Sequence, residues 1–122
     1  MKKKRDLKIG IKSTNEFFDE ALTIADGLDA GHRPEKPIER LYFGDLQTLL
    51  HHLTPKRLEL LSVLRKTGPS SINALAKTLQ RQYRNVHSEV KDLKMLGLIE
   101  KNEEGLYLVP WDEISTVVRL AA

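Results

Sequence analysis

The chain has 122 residues, a net charge of +3 at pH 7, 40% apolar residues and no cysteine. That length suits one compact domain with an appended segment, and the apolar content supplies a core with little to spare. Without cysteine there is no disulfide framework and no thiolate metal site, and a reducing cytoplasm is the expected setting.

Lys2-Lys3-Lys4-Arg5 opens the chain as a basic arm, either a solvated tail or a contact for DNA phosphates. The stretch from Asp6 to Lys12 alternates and lacks the apolar run of about 7–15 residues that an export signal needs. Nothing approaches the roughly 20 apolar residues of a membrane span. Leu7, Ile9 and Ile11 alternate with Lys8, Gly10 and Lys12, which predicts a strand with one buried face. Ser13 or Thr14 then caps a helix with Glu16 near its positive end and Phe17, Ala21, Ile24, Ala25 and Leu28 as its apolar stripe. Glu16, Asp19, Glu20, Asp26 and Asp29 make this helix acidic, with no Lys or Arg between Ser13 and Gly31. It is either a solvated helix packed on its own domain or a docking surface for a basic partner, with Glu16, Asp19 and Glu20 as candidate contacts.

Gly31 to Pro37 reads as an extended connector, Ile38 to Phe43 as extended chain, and Leu46 to His52 as a short helix led by Gly44-Asp45. Thr54-Pro55 is a helix start, since the Thr hydroxyl accepts from an orphan amide and Pro loses nothing at the first helical position. Leu58, Leu61 and Leu64 recur at helical spacing until Gly68-Pro69. Ser70 or Ser71 starts a second helix with Ile72, Leu75, Ala76 and Leu79 apolar, and Gln80-Arg81-Gln82 is a polar break. Tyr83 to Leu96 is a third helix, closed by Gly97. Leu98 to Lys101, Asn102 to Gly105 and Leu106 to Val109 give strand, turn and strand. Pro110 to Glu113 is a turn, and Ile114, Thr116, Val118 and Leu120 predict a final strand. The first and last strands are too short to stand alone, and we expect them to pair across a dimer.

Two helices joined by a tight turn and followed by a β-ribbon are the architecture of a winged helix-turn-helix, which lays one helix in the DNA major groove. The expected fold class is therefore α+β: a winged helix-turn-helix over residues 51–110, preceded by a strand-helix segment and connector over 1–50 and followed by a strand over 111–122. In the third helix Val86, Val90, Leu93 and Leu96 share one stripe. The opposite face carries Arg84, His87, Ser88 and Lys91, with Gln82, Tyr83 and Asn85 at its start and no acid from Gln82 to Ser88. Any soluble helix has a polar outer face, so it is the missing acids that favour nucleic acid. Arg bridges guanine O6 and N7, and Asn or Gln pairs with adenine. Arg81, Gln82, Arg84, Asn85, His87 and Ser88 are candidates for base or near-base contacts, and Ser71, Tyr83, Lys91 and Lys101 for phosphates. Ten cations against four anions between Thr54 and Lys101 give that segment +6 and leave −3 for the remainder, the asymmetry expected when one part meets nucleic acid.

The pieces LTPKRLELL (Leu53 to Leu61), LAKTL (Leu75 to Leu79), NVHSEVKDL (Asn85 to Leu93) and LGLIE (Leu96 to Glu100) resemble prokaryotic winged-helix transcriptional regulators of the MarR/ArsR-like kind. With the opening LKIGIKSTNEFFDEALTIADG (Leu7 to Gly27), the chain looks nearest a short archaeal and bacterial subgroup, some members of which are antitoxins encoded beside a toxin. The resemblance implies a DNA-binding repressor, usually a homodimer. An antitoxin that neutralises a basic toxin protein and autoregulates its operon is the alternative, as is a winged-helix interaction module that never touches DNA.

No phosphate-cradling glycine loop, no Ser-flanking glycine elbow and no HExxH are present, so no enzyme and no cofactor are expected. His51 and His52 are adjacent on a predicted helix and point about 100° apart, which does not chelate one ion. Tyr42, Phe43 and Trp111 are expected as core or interface aromatics rather than a ligand cage.

Overall fold

The computed structural model describes residues 5–12, 15, 18–19, 21–23 and 39–118. Among these the elements run β1 (Asp6–Ile11), β2 (Glu39–Phe43), α1 (Leu46–His52), α2 (Pro55–Thr67), α3 (Ile72–Leu79), α4 (Tyr83–Met95), β3 (Glu100–Lys101), β4 (Tyr107–Leu108) and β5 (Glu113–Thr116), an α+β arrangement. The chain divides into two compact units, Met1–Arg5 with Leu50–Asp112 and Asp6–Leu49 with Glu113–Ala122.

The second of these units holds a three-stranded sheet of order β2-β1-β5. Alternation makes its central strand: Leu7 and Ile9 are buried and Asp6 and Lys8 exposed. β1 pairs with β2 in parallel, and Gly10 stands opposite Tyr42, where an added Cβ would meet the Tyr42 ring at 3.0 Å. β1 also pairs with β5 in parallel, Asp6 opposite Glu113 to Ile9 opposite Thr116. This corrects the expectation of strand pairing across a dimer. Both edges of β1 are taken within one chain, and residues 12–38 supply the long crossover that parallel pairing requires. The final strand also stops at Thr116, opposite Ile9, and Val117 and Val118 stand 68% and 43% exposed beyond it.

Asn15, Phe18, Asp19 and Ala21 to Thr23 are helical, as the acidic segment predicts. Ala21, expected on the apolar stripe, is exposed. Lys2 to Lys4, Ser13, Thr14, Glu16, Phe17, Glu20, the run Ile24 to Ile38 and Leu120 lie outside the described residues, and with them the expectations placed there.

In the helical unit the predicted caps form. Thr54 accepts from the Arg57 amide at 3.2 Å, and Ser71 accepts from the Ala74 amide at 3.1 Å. In α2 the buried residues are Leu60, Leu61 and Leu64, whereas Leu58 is 48% exposed, against expectation. Three-residue steps drift about 60° each, so Leu58 lies about 120° from Leu64 while Leu60 lies about 40° from it. Leu60, Leu64, Leu75, Val86, Val90, Leu93, Leu98 and Ile99 are fully buried and form the core. α4 ends in a Schellman motif: Leu98 N–H donates to Leu93 O and Gly97 N–H to Lys94 O, each at 3.0 Å, with Gly97 at φ +85°.

The strands β3 and β4 pair antiparallel, Glu100 with Leu108 and Lys101 with Tyr107. They are shorter than the predicted runs, because Leu98 and Ile99 are spent in the core. The Asn102 carboxamide accepts from the Glu104 and Leu106 amides at 3.0 and 2.9 Å and shapes the turn. Ser70 exchanges backbone hydrogen bonds with Tyr107 at 2.9 and 2.8 Å, which ties the hairpin to the start of α3.

Candidate nucleic-acid interface

Val86, Val90 and Leu93 are 0% exposed and fix which side of α4 meets the core. The other side then follows from helical geometry. Gln82, Tyr83, Arg84, Asn85, Ser88 and Lys91 are exposed, and His87 is half-buried with its ring 5.8 Å from that of Tyr83. Gln82 sits at the N-cap with no side-chain cap bond, unlike Thr54 and Ser71 on the two preceding helices. Its carboxamide is thereby left for another partner. Arg84 has no carboxylate partner among the described residues.

Glu89 and Asp92, the acids of α4, point to one flank and are bound there. Arg57 of α2 pairs with Asp92 and, through Nε, with Glu89 at 3.5 Å. Arg81 pairs with Glu89, and His52 Nδ1 lies 3.0 Å from Asp92 Oδ2. Arg57 also donates to His52 O at 3.2 Å. Burial pushes the Asp92 carboxyl up, but hydrogen bonds from His52 and Arg57 and their charges outweigh it and hold the group below the usual carboxylate range. These side chains are 14–31% exposed, so water screens them less than it screens the outer face.

The candidates thus separate. Arg84, Ser88 and Lys91 share the open face, with His87 recessed at its edge and Gln82, Tyr83 and Asn85 exposed around the N-terminal end of the helix. Arg81 stands apart from them, committed to Glu89. Ser71 is exposed, and its oxygen serves as the α3 cap while its proton stays available. Lys101 is exposed on β3, opposite Tyr107. Asp19 is exposed, and Glu16 and Glu20 lie outside the described residues.

Sequence reasoning missed Arg57, His52 and Tyr107. Arg57 had a signal: Glu89 and Asp92, three apart on a helix otherwise free of acid, require cations from a neighbouring element. Tyr107 had none, because a tyrosine in a short strand reads as core. Among the described residues no group of three or more His, Cys, Asp or Glu is placed to hold a metal ion, and no helix is long and apolar enough to cross a membrane.

The family model HVO_A0114 matches residues 52–116, from the end of α1 to the end of β5. No curated protein and no solved structure matches the chain.

Proposed function

The chain belongs to the HVO_A0114 family, and from that premise we propose that it is a sequence-specific, double-stranded DNA-binding transcriptional regulator, a cytoplasmic repressor that acts by occupying an operator. The matched segment contains α2, α3, α4 and the hairpin, the elements on which this reading rests. In this reading those elements are a winged helix-turn-helix, with α4 in the major groove and the β3–β4 hairpin as the wing. One observation carries it: from Gln82 to Ser88 the outer face of α4 is exposed and free of acid, while both acids of the helix are bound by Arg57 and Arg81. Arg84 is the guanine reader, Gln82 and Asn85 face adenine, and His87 and Ser88 stand near the bases. Ser71, Tyr83, Lys91 and Lys101 hold phosphates. Arg81, bound to Glu89, supports α4 instead of reading bases.

A single helix of this length makes one short groove contact, so the reading includes a homodimer on an inverted repeat, its two reading helices about 34–36 Å apart or a multiple of that. Selection of bound duplexes from random DNA, with light scattering beside it, tests both parts. Enrichment of a palindromic site by a dimer is expected. A wild-type protein that enriches no sequence, and binds no duplex even at low salt, overturns the reading.

A second reading is an antitoxin that captures a basic toxin through its acidic N-terminal helix. It is favoured by Phe18 and Leu22, 58% and 64% exposed, with exposed Asp19 beside them. Apolar surface edged with acid fits a basic protein. Charge reversal at Asp19 is expected to slow toxin capture and leave operator affinity intact, and equal capture rates would remove this reading.

A further inference from the structure

Tyr107 is fixed from several sides. Its backbone exchanges two hydrogen bonds with Ser70, it faces Lys101 across the ladder, and its residue is only 6% exposed. Two lysines stand beside its ring, and a third follows on α4. Lys91 Nζ donates to the phenolic oxygen at 3.2 Å and lies 5.7 Å from the ring centroid. Lys101 Nζ lies 5.5 Å from that centroid on the hairpin side. Lys94 is one turn along α4 from Lys91. The hydrogen bond from Lys91 draws the phenol below its ordinary pKa, burial opposes this, and the charges of Lys101, Lys91 and Lys94 add to the lowering.

Two features of this cluster ask for something from outside. An ammonium has three donors and no acceptor, so the bond must run from Lys91 to the phenolic oxygen. The phenolic proton is then free to donate, and no acceptor among the described residues takes it. Nor does any of the three lysines have a carboxylate partner among the described residues. Like charges gathered without a counter-charge repel, and an anion with several oxygens relieves them. A phosphodiester fits this need, having oxygens for the phenol and for the remaining ammonium protons.

We propose that Tyr107, Lys91, Lys94 and Lys101 form a clamp between α4 and the hairpin that receives one backbone phosphate of bound DNA, with the Tyr107 hydroxyl donating to it. This rests on the reading of α4 and the hairpin as the DNA-facing elements. It adds Tyr107 and Lys94 to the contacts and assigns them to positioning rather than to sequence, since phosphates carry no base information.

The test compares wild type, Tyr107→Phe and Lys94→Ala against a short random-sequence duplex over a range of salt. Phe keeps the ring, the core packing and every charge. Tyr107→Phe should bind about threefold to tenfold more weakly with an unchanged salt slope, as loss of a single uncharged donor predicts. Lys94→Ala should lower the slope by about one. A thermal melt checks that both variants stay folded. Ring NMR of Tyr107 should shift on adding duplex but only weakly with inorganic phosphate. Wild-type affinity in Tyr107→Phe overturns the clamp while DNA binding by α4 stands. Equal shifts from duplex and inorganic phosphate overturn its assignment to the DNA backbone. No duplex binding by wild type overturns both.

Discussion

Arg81 and Arg84 lie three residues apart in the sequence and carry the same charge, yet they belong to different regions. Arg81 is on the inner flank, paired with Glu89, which Arg57 also reaches. Arg84 is on the open face with no carboxylate beside it. The inner flank spends its charges on one another in a half-buried setting, where removing one partner leaves the others uncompensated. The open face holds its charges and amides in water, where they contribute little to folding and are available to a ligand. Charge alone therefore does not decide whether an arginine is available to a ligand; the presence or absence of a carboxylate partner does.

Substitutions on the two sides should separate accordingly. Arg57→Ala has the largest expected effect, because it strips cations from Glu89 and Asp92 together: a loss of about 2–3 kcal/mol in stability by urea unfolding. If stability is unchanged, the inner flank is not the structural cluster described. Arg84→Ala should leave the melt alone and cost about 1–3 kcal/mol in operator affinity, with relaxed preference at one base pair. Arg81→Ala should do the reverse on a smaller scale, about 1 kcal/mol in stability, since Arg57 still faces Glu89. An Arg81 variant that alters base preference while melting normally would erase the distinction between the two arginines.

Acid gives the smallest effect and the same contrast. Asp92 is held below its ordinary value, so the stability it contributes is whole above the unfolded carboxylate pKa of about 3.9 and fades as pH falls through the lower folded value. Asp92→Asn should flatten that part of the unfolding profile, measured by urea midpoints from neutral to acidic pH. An identical profile in wild type and variant would mean that the pairing with Arg57 and His52 does not matter to the fold.

Much of this was legible in the sequence. Thr54 and the Ser70-Ser71 pair announced their helices by local capping chemistry, and Leu7 and Ile9 announced a one-sided strand by alternation. The open face of α4 was legible because the stripe of Val86, Val90 and Leu93 fixes the helix's rotation. Partners were not legible. The ladders of β1 depend on residues far along the chain, Glu39 and Glu113 among them, and periodicity is silent about pairing. The same holds for Arg57, whose partners lie more than thirty positions away in α4. Leu58 misled because a spacing of three is shared by adjoining faces of a leucine-rich helix.

The pairing of β1 with β5 has a consequence for how the chain folds. Asp6 meets Glu113, so that ladder closes a loop spanning most of the sequence, whereas the core of α2, α3 and α4 joins near neighbours. Closing a long loop costs chain entropy before its contacts give anything back, and such contacts form late. During synthesis β2 follows β1 within some thirty residues, but the β5 edge of the sheet must wait, while the helices have what they need once the hairpin is made. Pulse-labelled hydrogen exchange should therefore find the Val90 and Leu93 amides protected before the amides of the β1–β5 ladder, and the opposite order would mean that this ladder nucleates the fold.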